Sequence, residues 1–165
     1  MDFFSPAQLV GYVAFVLGVA AFLQKSDVRL KFLNAAETLA YTVHFAMLGN
    51  FAASGSAFVS CGRSLLAMRL RSAWLAIFFV ALNVAVGVVT TTTWTGWLPV
   101  VGSSLTTLAV FLLQGVPMRL TILVATLLWL ANNILSGSIG GTVLEFLIAL
   151  ANLSTIARMT LRRAP

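Results

Sequence analysis

The sequence predicts an all-α polytopic membrane protein: one membrane domain over residues 1–165, with seven transmembrane helices in a 3+1+3 order. Three observations predict it. Of 165 residues, 60% are hydrophobic and 8% charged, and the mean hydropathy is +1.01, whereas soluble domains carry about 25% charged residues. A membrane crossing takes ~20 apolar residues, and seven such stretches nearly use up the chain, leaving no room for a soluble catalytic domain. Short basic clusters separate the apolar runs. The runs are too long and too evenly apolar for barrel strands, so each must satisfy its own backbone as a helix.

The first span is expected from Pro6 to Gln24. No basic residue precedes it, unlike the n-region of a cleaved signal, so it should stay in the mature protein. Phe32 to Leu48 and Ala52 to Met68 follow, the former carrying Glu37 and His44 and the latter Arg63. Ala73 to Thr90 is a plain apolar linker with Trp74 at one end. Trp97 to Gln114 opens beside Trp94, so that these tryptophans can anchor at the interfaces. Leu120 to Leu135 and Thr142 to Ala157 complete the set.

Lys25, Arg29 and Lys31 lie between spans one and two, Arg69 and Arg71 after span three, Arg119 between five and six, and Arg158, Arg162 and Arg163 at the end. Nine of the ten basic residues thus fall on one side, which the positive-inside rule makes cytoplasmic. The N-terminus is then outside and the C-terminus inside, which requires an odd number of spans. Because the basic residues do not share one aqueous face, the formal charge of +6 points to a lipid bilayer and not to nucleic acid. A single Cys and a single His leave no disulfide framework, zinc cluster or thiol pair. No nucleotide loop or metal-ligand spacing is present, and neither cofactor nor metal is expected.

An internal repeat runs through the chain. Ala21-Phe22-Leu23-Gln24 with Arg29-Leu30 matches Phe111-Leu112-Leu113-Gln114 with Arg119-Leu120 at an offset of 90. Leu48-Gly49-Asn50-Phe51-Ala52-Ala53 aligns with Ser136-Gly137-Ser138-Ile139-Gly140-Gly141 at 88, so a two-residue indel in the second helix reconciles them. The chain divides into a first three-helix repeat (1–72), a linker helix with its outer loop (73–96) and a second repeat (97–165). Both triplets start outside, so they are parallel repeats related by an axis along the membrane normal. Chance similarity between apolar segments is the alternative.

The run Leu135-Ser136-Gly137-Ser138-Ile139-Gly140-Gly141-Thr142, with His44-Phe45 and Leu98-Pro99-Val100-Val101-Gly102, resembles the YgjV family of bacterial inner-membrane proteins over nearly the whole chain. That resemblance implies a multi-pass protein of the bacterial inner membrane and no particular chemistry. More distantly, the 3+1+3 layout is similar to the SWEET, PQ-loop and PnuC superfamily of small-solute carriers. The repeat-equivalent Gln24 and Gln114 stand where PQ-loop proteins carry Pro-Gln pairs, with Leu23 and Leu113 here in place of the proline.

Ionisable residues inside a span cost roughly 2.5 to 3.5 kcal/mol and therefore tend to face the bundle interior with a partner. Four do so here: Glu37, His44, Arg63 and Glu145. Asn83, Asn132, Asn133 and Asn152 add neutral polar groups. From a rise of ~1.5 Å per residue, Glu37 and Arg63 form an inner tier. His44, Asn132, Asn133 and Glu145 form an outer one, with Asn152 nearer mid-helix. Glu37, Tyr41 and His44 stand at i, i+4 and i+7, as do Glu145, Ala149 and Asn152, so each set lies on one helix face. Glu37 and Arg63 are expected as a buried ion pair or an inner gate, and His44 with Glu145 as an outer, proton-sensitive pair. The carrier resemblance implies a solute role for Asn152 with Asn132, although Ser64 is the counterpart of Asn152 in the first triplet. It also implies that Trp129 can stack on a planar solute, as aromatics do in PnuC-type carriers; packing between helices is the alternative.

The expected function is a small-solute transporter or facilitator. Its central polar pathway would be lined by Tyr41, His44, Trp129, Asn132, Asn133, Glu145 and Asn152. Its partners are the bilayer, a small polar solute and, as an open possibility, further copies of the chain. The alternative is a membrane scaffold or assembly subunit whose buried polar groups are structural, holding helices together by bonds of ~0.6 to 2 kcal/mol each. An enzyme is not expected, because the candidate set reduces to His44, Glu145 and a serine such as Ser136.

Overall fold

In the computed structural model the structure describes residues 3–24, 27–70 and 72–161. Among them are seven α-helices: α1 (Pro6–Phe22), α2 (Asp27–Met47), α3 (Phe51–Leu66), α4 (Ala73–Thr90), α5 (Trp97–Leu112), α6 (Gly115–Leu135) and α7 (Ile139–Leu161), with a 3-10 turn at Trp94–Gly96 ahead of α5. No strand occurs among the described residues.

Local chemistry sets the helix ends. The Ser5 side chain accepts from the Gln8 amide ahead of Pro6, and Asn50 caps α3 by accepting from Ala53 at 3.0 Å. α2 and α6 each end on a left-handed glycine, Gly49 at φ 74° and Gly137 at φ 68°. In both turns the next amide reaches back to the helix, Asn50 to the Phe45 carbonyl and Ser138 to that of Asn133, each at 2.9 Å. This is the same C-terminal motif twice, 88 residues apart. Gly49→Ala is expected to cost about 1 kcal/mol, the strain of an L side chain at this φ. Nothing lies within 4 Å of the added Cβ, so unfolding in detergent reads the backbone term alone.

α2 and α6 begin at Asp27 and Gly115, one to two turns before the expected Phe32 and Leu120. Their first turns hold Arg29, Lys31 and Arg119, which interrupt apolarity without interrupting a helix. Four helical stretches are long and apolar enough to cross a membrane: Ala73–Thr90, Trp94–Leu112, Gly115–Leu135 and Ile139–Leu161; Pro6–Ala21 is a shorter apolar helix. α2 and α3 fall short for a physical reason. α2 is studded with Asn34, Glu37, Thr38, Tyr41, Thr42 and His44. α3 has only 16 residues, and ten of them, mostly small or polar, are buried against other helices.

α1 packs on α2 and α2 on α3; α5 packs on α6 and α6 on α7. The two groups meet along two seams, α3 with α5 and α1 with α7, so six helices close a ring. Substituting α5, α6 and α7 for α1, α2 and α3 reproduces this pattern of neighbours. At the α1–α7 seam a Cβ on Gly140 would stand 2.8 Å from the Gly11 carbonyl oxygen. α4 rests on α3 and α5 through one face, Ala76, Phe79, Asn83 and Gly87. Asn83 fixes it there by donating to the Val100 carbonyl (2.8 Å) and to Ser104 Oγ (3.0 Å).

The alternation of helices gathers Arg29, Lys31, Arg69, Arg119 and Arg158 at one end of the bundle, with Lys31 Nζ donating to the Ala67 carbonyl at 2.6 Å. Lys25, Arg71, Arg162 and Arg163 lie outside the described residues. The two glycine turns are at the opposite end. Gln24 lies at the basic end and donates to the Ala20 carbonyl of its own helix (3.0 Å), while Gln114 flanks α6 there with an exposed side chain and no capping bond. The repeat-equivalent glutamines thus share an end and form no hydrogen bond with each other.

Candidate functional site

A cavity of about 290 Å³ lies inside the ring, walled by every helix except α4. α2 presents Asn34, Glu37, Thr38, Tyr41 and Phe45, spaced so that they share one face. Opposite, α6 presents Ile122, Thr126, Trp129 and Asn133 with the same periodicity. α3 adds Ala57, Ser60 and Arg63, α5 adds Ser103 and Thr106, and α7 adds Glu145 and Ile148. Ala21 of α1 completes the wall at the basic end. The aromatic side is continuous: Tyr41 stacks on Phe45 with centroids 5.5 Å apart, and Phe45 meets Trp129 at 5.8 Å. Gly102 lets Trp129 lie against α5, since a Cβ there would be 2.9 Å from the indole Cδ1.

Glu37 and Arg63 face this cavity but form no ion pair, contrary to the expectation. Asn34 Nδ2 donates to Glu37 Oε2 at 2.9 Å, and Ser64 Oγ donates to Asn34 Oδ1 at 2.8 Å. Arg63 Nη1 instead donates across the α3–α5 seam to the Ser103 carbonyl (3.2 Å) and Thr107 Oγ1 (2.9 Å). α3 is adjacent to α5, and the neutral oxygens there take the guanidinium. Glu145, expected in the outer tier, lines the same cavity as Glu37 and Arg63. Other cavity groups are unsatisfied: the Tyr41 hydroxyl and Asn133 Oδ1 are buried without a hydrogen-bond partner.

A polar seal closes the end that carries the glycine turns. His44, with 0% exposure, donates from Nδ1 to the Ala7 carbonyl at 2.7 Å, because a carbonyl can only accept. In the neutral ring Nε2 then accepts from Ser138 Oγ at 2.8 Å. Gln8 Nε2 donates to the Gly137 carbonyl (2.7 Å), and the Ile139 amide donates to Gln8 Oε1. Asn50 Nδ2 donates to Asn132 Oδ1 (2.9 Å) and to Ser136 Oγ (2.7 Å). At the offset of 88, His44 corresponds to Asn132 and Asn50 to Ser138. His44 with Ser138 and Asn132 with Asn50 are therefore one contact made twice, each half supplying the opposite member.

Of the residues expected on the pathway, Tyr41, Trp129, Asn133 and Glu145 line the cavity and three others do not. His44 is spent on the seal, with both ring nitrogens engaged, so it makes no pair with Glu145. Asn132 borders a separate cavity of about 530 Å³ at the sealed end, beside Asn50 and the Thr90–Thr93 segment. Asn152 Nδ2 donates to the Arg119 carbonyl at 2.9 Å, holding α7 to the start of α6. It is far from Asn132, because these two residues stand at opposite ends of the antiparallel α6–α7 pair. The nucleophile–base set is also different: His44 meets Ser138, not Ser136, and both side chains are sealed from the cavity. Gln8, Asn34, Asn50 and Ser138 carry much of the polar architecture and were missed. For Asn34 the signal was its position one turn before Glu37. For Asn50 and Ser138 it was their alignment at the offset of 88.

Among the described residues no three His, Cys, Asp or Glu side chains gather as metal ligands, and Cys61 is buried as a free thiol. The family model for Imp-YgjV, described as a bacterial inner membrane protein, matches residues 5–163. The inner membrane protein YgjV of Escherichia coli (strain K12) is 34% identical over 152 residues, covering 92% of this chain and 83% of that protein. No solved structure matches the chain. With a family model spanning nearly all of its length and a relative at this identity, the chain belongs to the Imp-YgjV family of bacterial inner membrane proteins.

Proposed function

We propose that this protein is a carrier or facilitator for a small polar solute, in which two parallel three-helix repeats joined by α4 rock about the central cavity. The observation that carries the reading is a polar cavity shared by both triplets and bounded at one end by a seal that draws one lock from each half. The repeated ring of neighbours and the exchanged His44–Ser138 and Asn132–Asn50 contacts support the 3+1+3 relation. The shared basic end supports seven crossings with the N-terminus outside, the C-terminus inside and the basic end cytoplasmic. On this reading the seal is the closed outer gate, and the cavity communicates with the cytoplasm. The chemistry is transport and not catalysis, a reading supported by the sequestration of the His44–Ser138 pair away from the cavity.

An accessibility measurement tests this. In a Cys61→Ala background, Thr106→Cys places a thiol on the cavity wall. A membrane-impermeant methanethiosulfonate reagent is expected to modify it from the cytoplasmic side at least about tenfold faster than from the outside, the bias of a population closed outward by ~1.4 kcal/mol or more. A thiol that reacts from neither side means a dry interior, and the scaffold reading then replaces the carrier.

A further inference from the structure

The cavity contains an imbalance of charge and of hydrogen-bonding capacity. Besides the phenol of Tyr41, three acidic or basic side chains line it, Glu37, Glu145 and Arg63. Arg63 is spent on the α3–α5 seam, and Glu37 is held by Asn34. Glu145 accepts no hydrogen bond from any described residue, and the other carboxylate, Glu37, lies within electrostatic range of it. An ionised carboxylate in a low-dielectric interior requires a compensating partner and otherwise keeps its proton; the protein supplies no partner at Glu145, so this carboxyl ionises when a cation arrives to pair with it.

The other unsatisfied groups include acceptors as well. Tyr41, at 8% exposure, has a hydroxyl with no partner that senses the charges of both carboxylates. Asn133, at 2% exposure, leaves Oδ1 free. Its amide group packs where a Cβ on Gly141 would stand, 2.9 Å from Cγ, and Gly141 lies one turn before Glu145 on α7. A carboxylate, a phenol oxygen and an amide oxygen are therefore available to donors, beside an aromatic wall of Tyr41, Phe45 and Trp129 that attracts positive charge. At ~30 Å³ per water, about 290 Å³ is roughly the volume of ten waters.

From this arrangement we infer that the solute is a small organic monocation, a primary ammonium on a compact apolar body, held by Glu145 with Tyr41 and Asn133. The inference rests on the carrier reading and specifies its substrate class. The ammonium N–H groups fill the unpaired acceptors, its charge balances the excess carboxylate, and its carbon skeleton lies on the aromatic wall. A neutral analogue gains no ion pair from Glu145, and an anionic one brings a buried charge for which the cavity offers no free cation.

Three ligands of one shape make the test: phenethylammonium, neutral 2-phenylethanol and anionic phenylacetate, each titrated against thermal unfolding of the detergent-purified protein. Phenethylammonium is expected to raise the midpoint while the other two do not. Glu145→Gln should weaken its apparent affinity by at least about tenfold, the scale of losing a charge-assisted partner. Glu145→Asp keeps the charge and should retain the preference for the cation, which guards against a fold defect in the glutamine variant. The inference is overturned if the alcohol stabilises as well as the amine, if the amine shift survives Glu145→Gln, or if the amine gives no shift. In each of those outcomes Thr106→Cys labelling still decides the carrier reading by itself, so the two failures are distinguishable.

Discussion

His44→Ala is expected to lower the unfolding free energy by about 3 to 5 kcal/mol, combining truncation of a fully buried ring with the loss of two hydrogen bonds. The ring joins three elements at once. Nδ1 holds the first turn of α1 through Ala7, Nε2 holds the α6–α7 turn through Ser138, and Gly11 packs so closely that a Cβ there would be 2.7 Å from Cε1. Without the imidazole, the Ala7 carbonyl loses its second donor and the Ser138 hydroxyl its acceptor beside a void. Ser138→Ala removes one of these bonds and should cost only about 1 kcal/mol. Chemical unfolding in mixed micelles, at one pH, compares the two. A His44→Ala cost no greater than that of Ser138→Ala would mean that the imidazole does not close this end.

Gly140→Val should cost about 3 kcal/mol, at the upper end of ordinary overpacking. The atoms that a side chain would strike are the oxygen and carbon of the Gly11 carbonyl, at 2.8 and 3.1 Å. These are backbone atoms inside a helix and cannot rotate away, so α1 and α7 must separate and disturb Gln8 and His44 with them. Gly62→Ala is the matched control. Its added Cβ meets only Phe79 Cε1 at an ordinary 3.8 Å, and alanine in place of a helical glycine should stabilise by roughly 0.5 to 1 kcal/mol. The same unfolding assay measures both, and equal effects at the two glycines would contradict the close α1–α7 seam.

The stripe Glu37, Tyr41, His44 marks what spacing conveys. Its residues do share a face of α2, yet Tyr41 lines the cavity while His44, about 4.5 Å further along the axis at ~1.5 Å per residue, enters the seal. Periodicity gives direction around a helix, whereas the partner met at each depth depends on which helix lies opposite. The same limit explains Arg63: its depth matched Glu37, but the adjacency of α3 and α5 gave it to Ser103 and Thr107. Asn152 matched the spacing of a pathway residue and instead ties α7 to α6, because its amide meets the Arg119 carbonyl on the neighbouring helix. The sequence match at an offset of 88 was most informative at the two turns. Gly49 and Gly137 adopt the same left-handed geometry, and the equivalence they define identifies the seal's partners. Apolarity alone marked α4, α5, α6 and α7 as membrane-crossing lengths. The polar α2 and the small-residue α3 needed their packing partners before their composition made sense.

The exchanged locks also impose an order in time. His44 and Asn50 leave the ribosome some 88 residues ahead of Asn132 and Ser138, which at synthesis rates of about 5 to 20 residues per second is an interval of roughly 4 to 18 seconds. Throughout that interval the first three helices hold His44 and Asn50 with their near partners, Ala7 and Ala53, in place and their partners across the bundle not yet made. Both groups belong to the turn end of α2, within reach of interfacial water and headgroups, and not to mid-span, where no substitute donor exists. The seal draws one partner of each lock from the second half, so it cannot close until that half has been made.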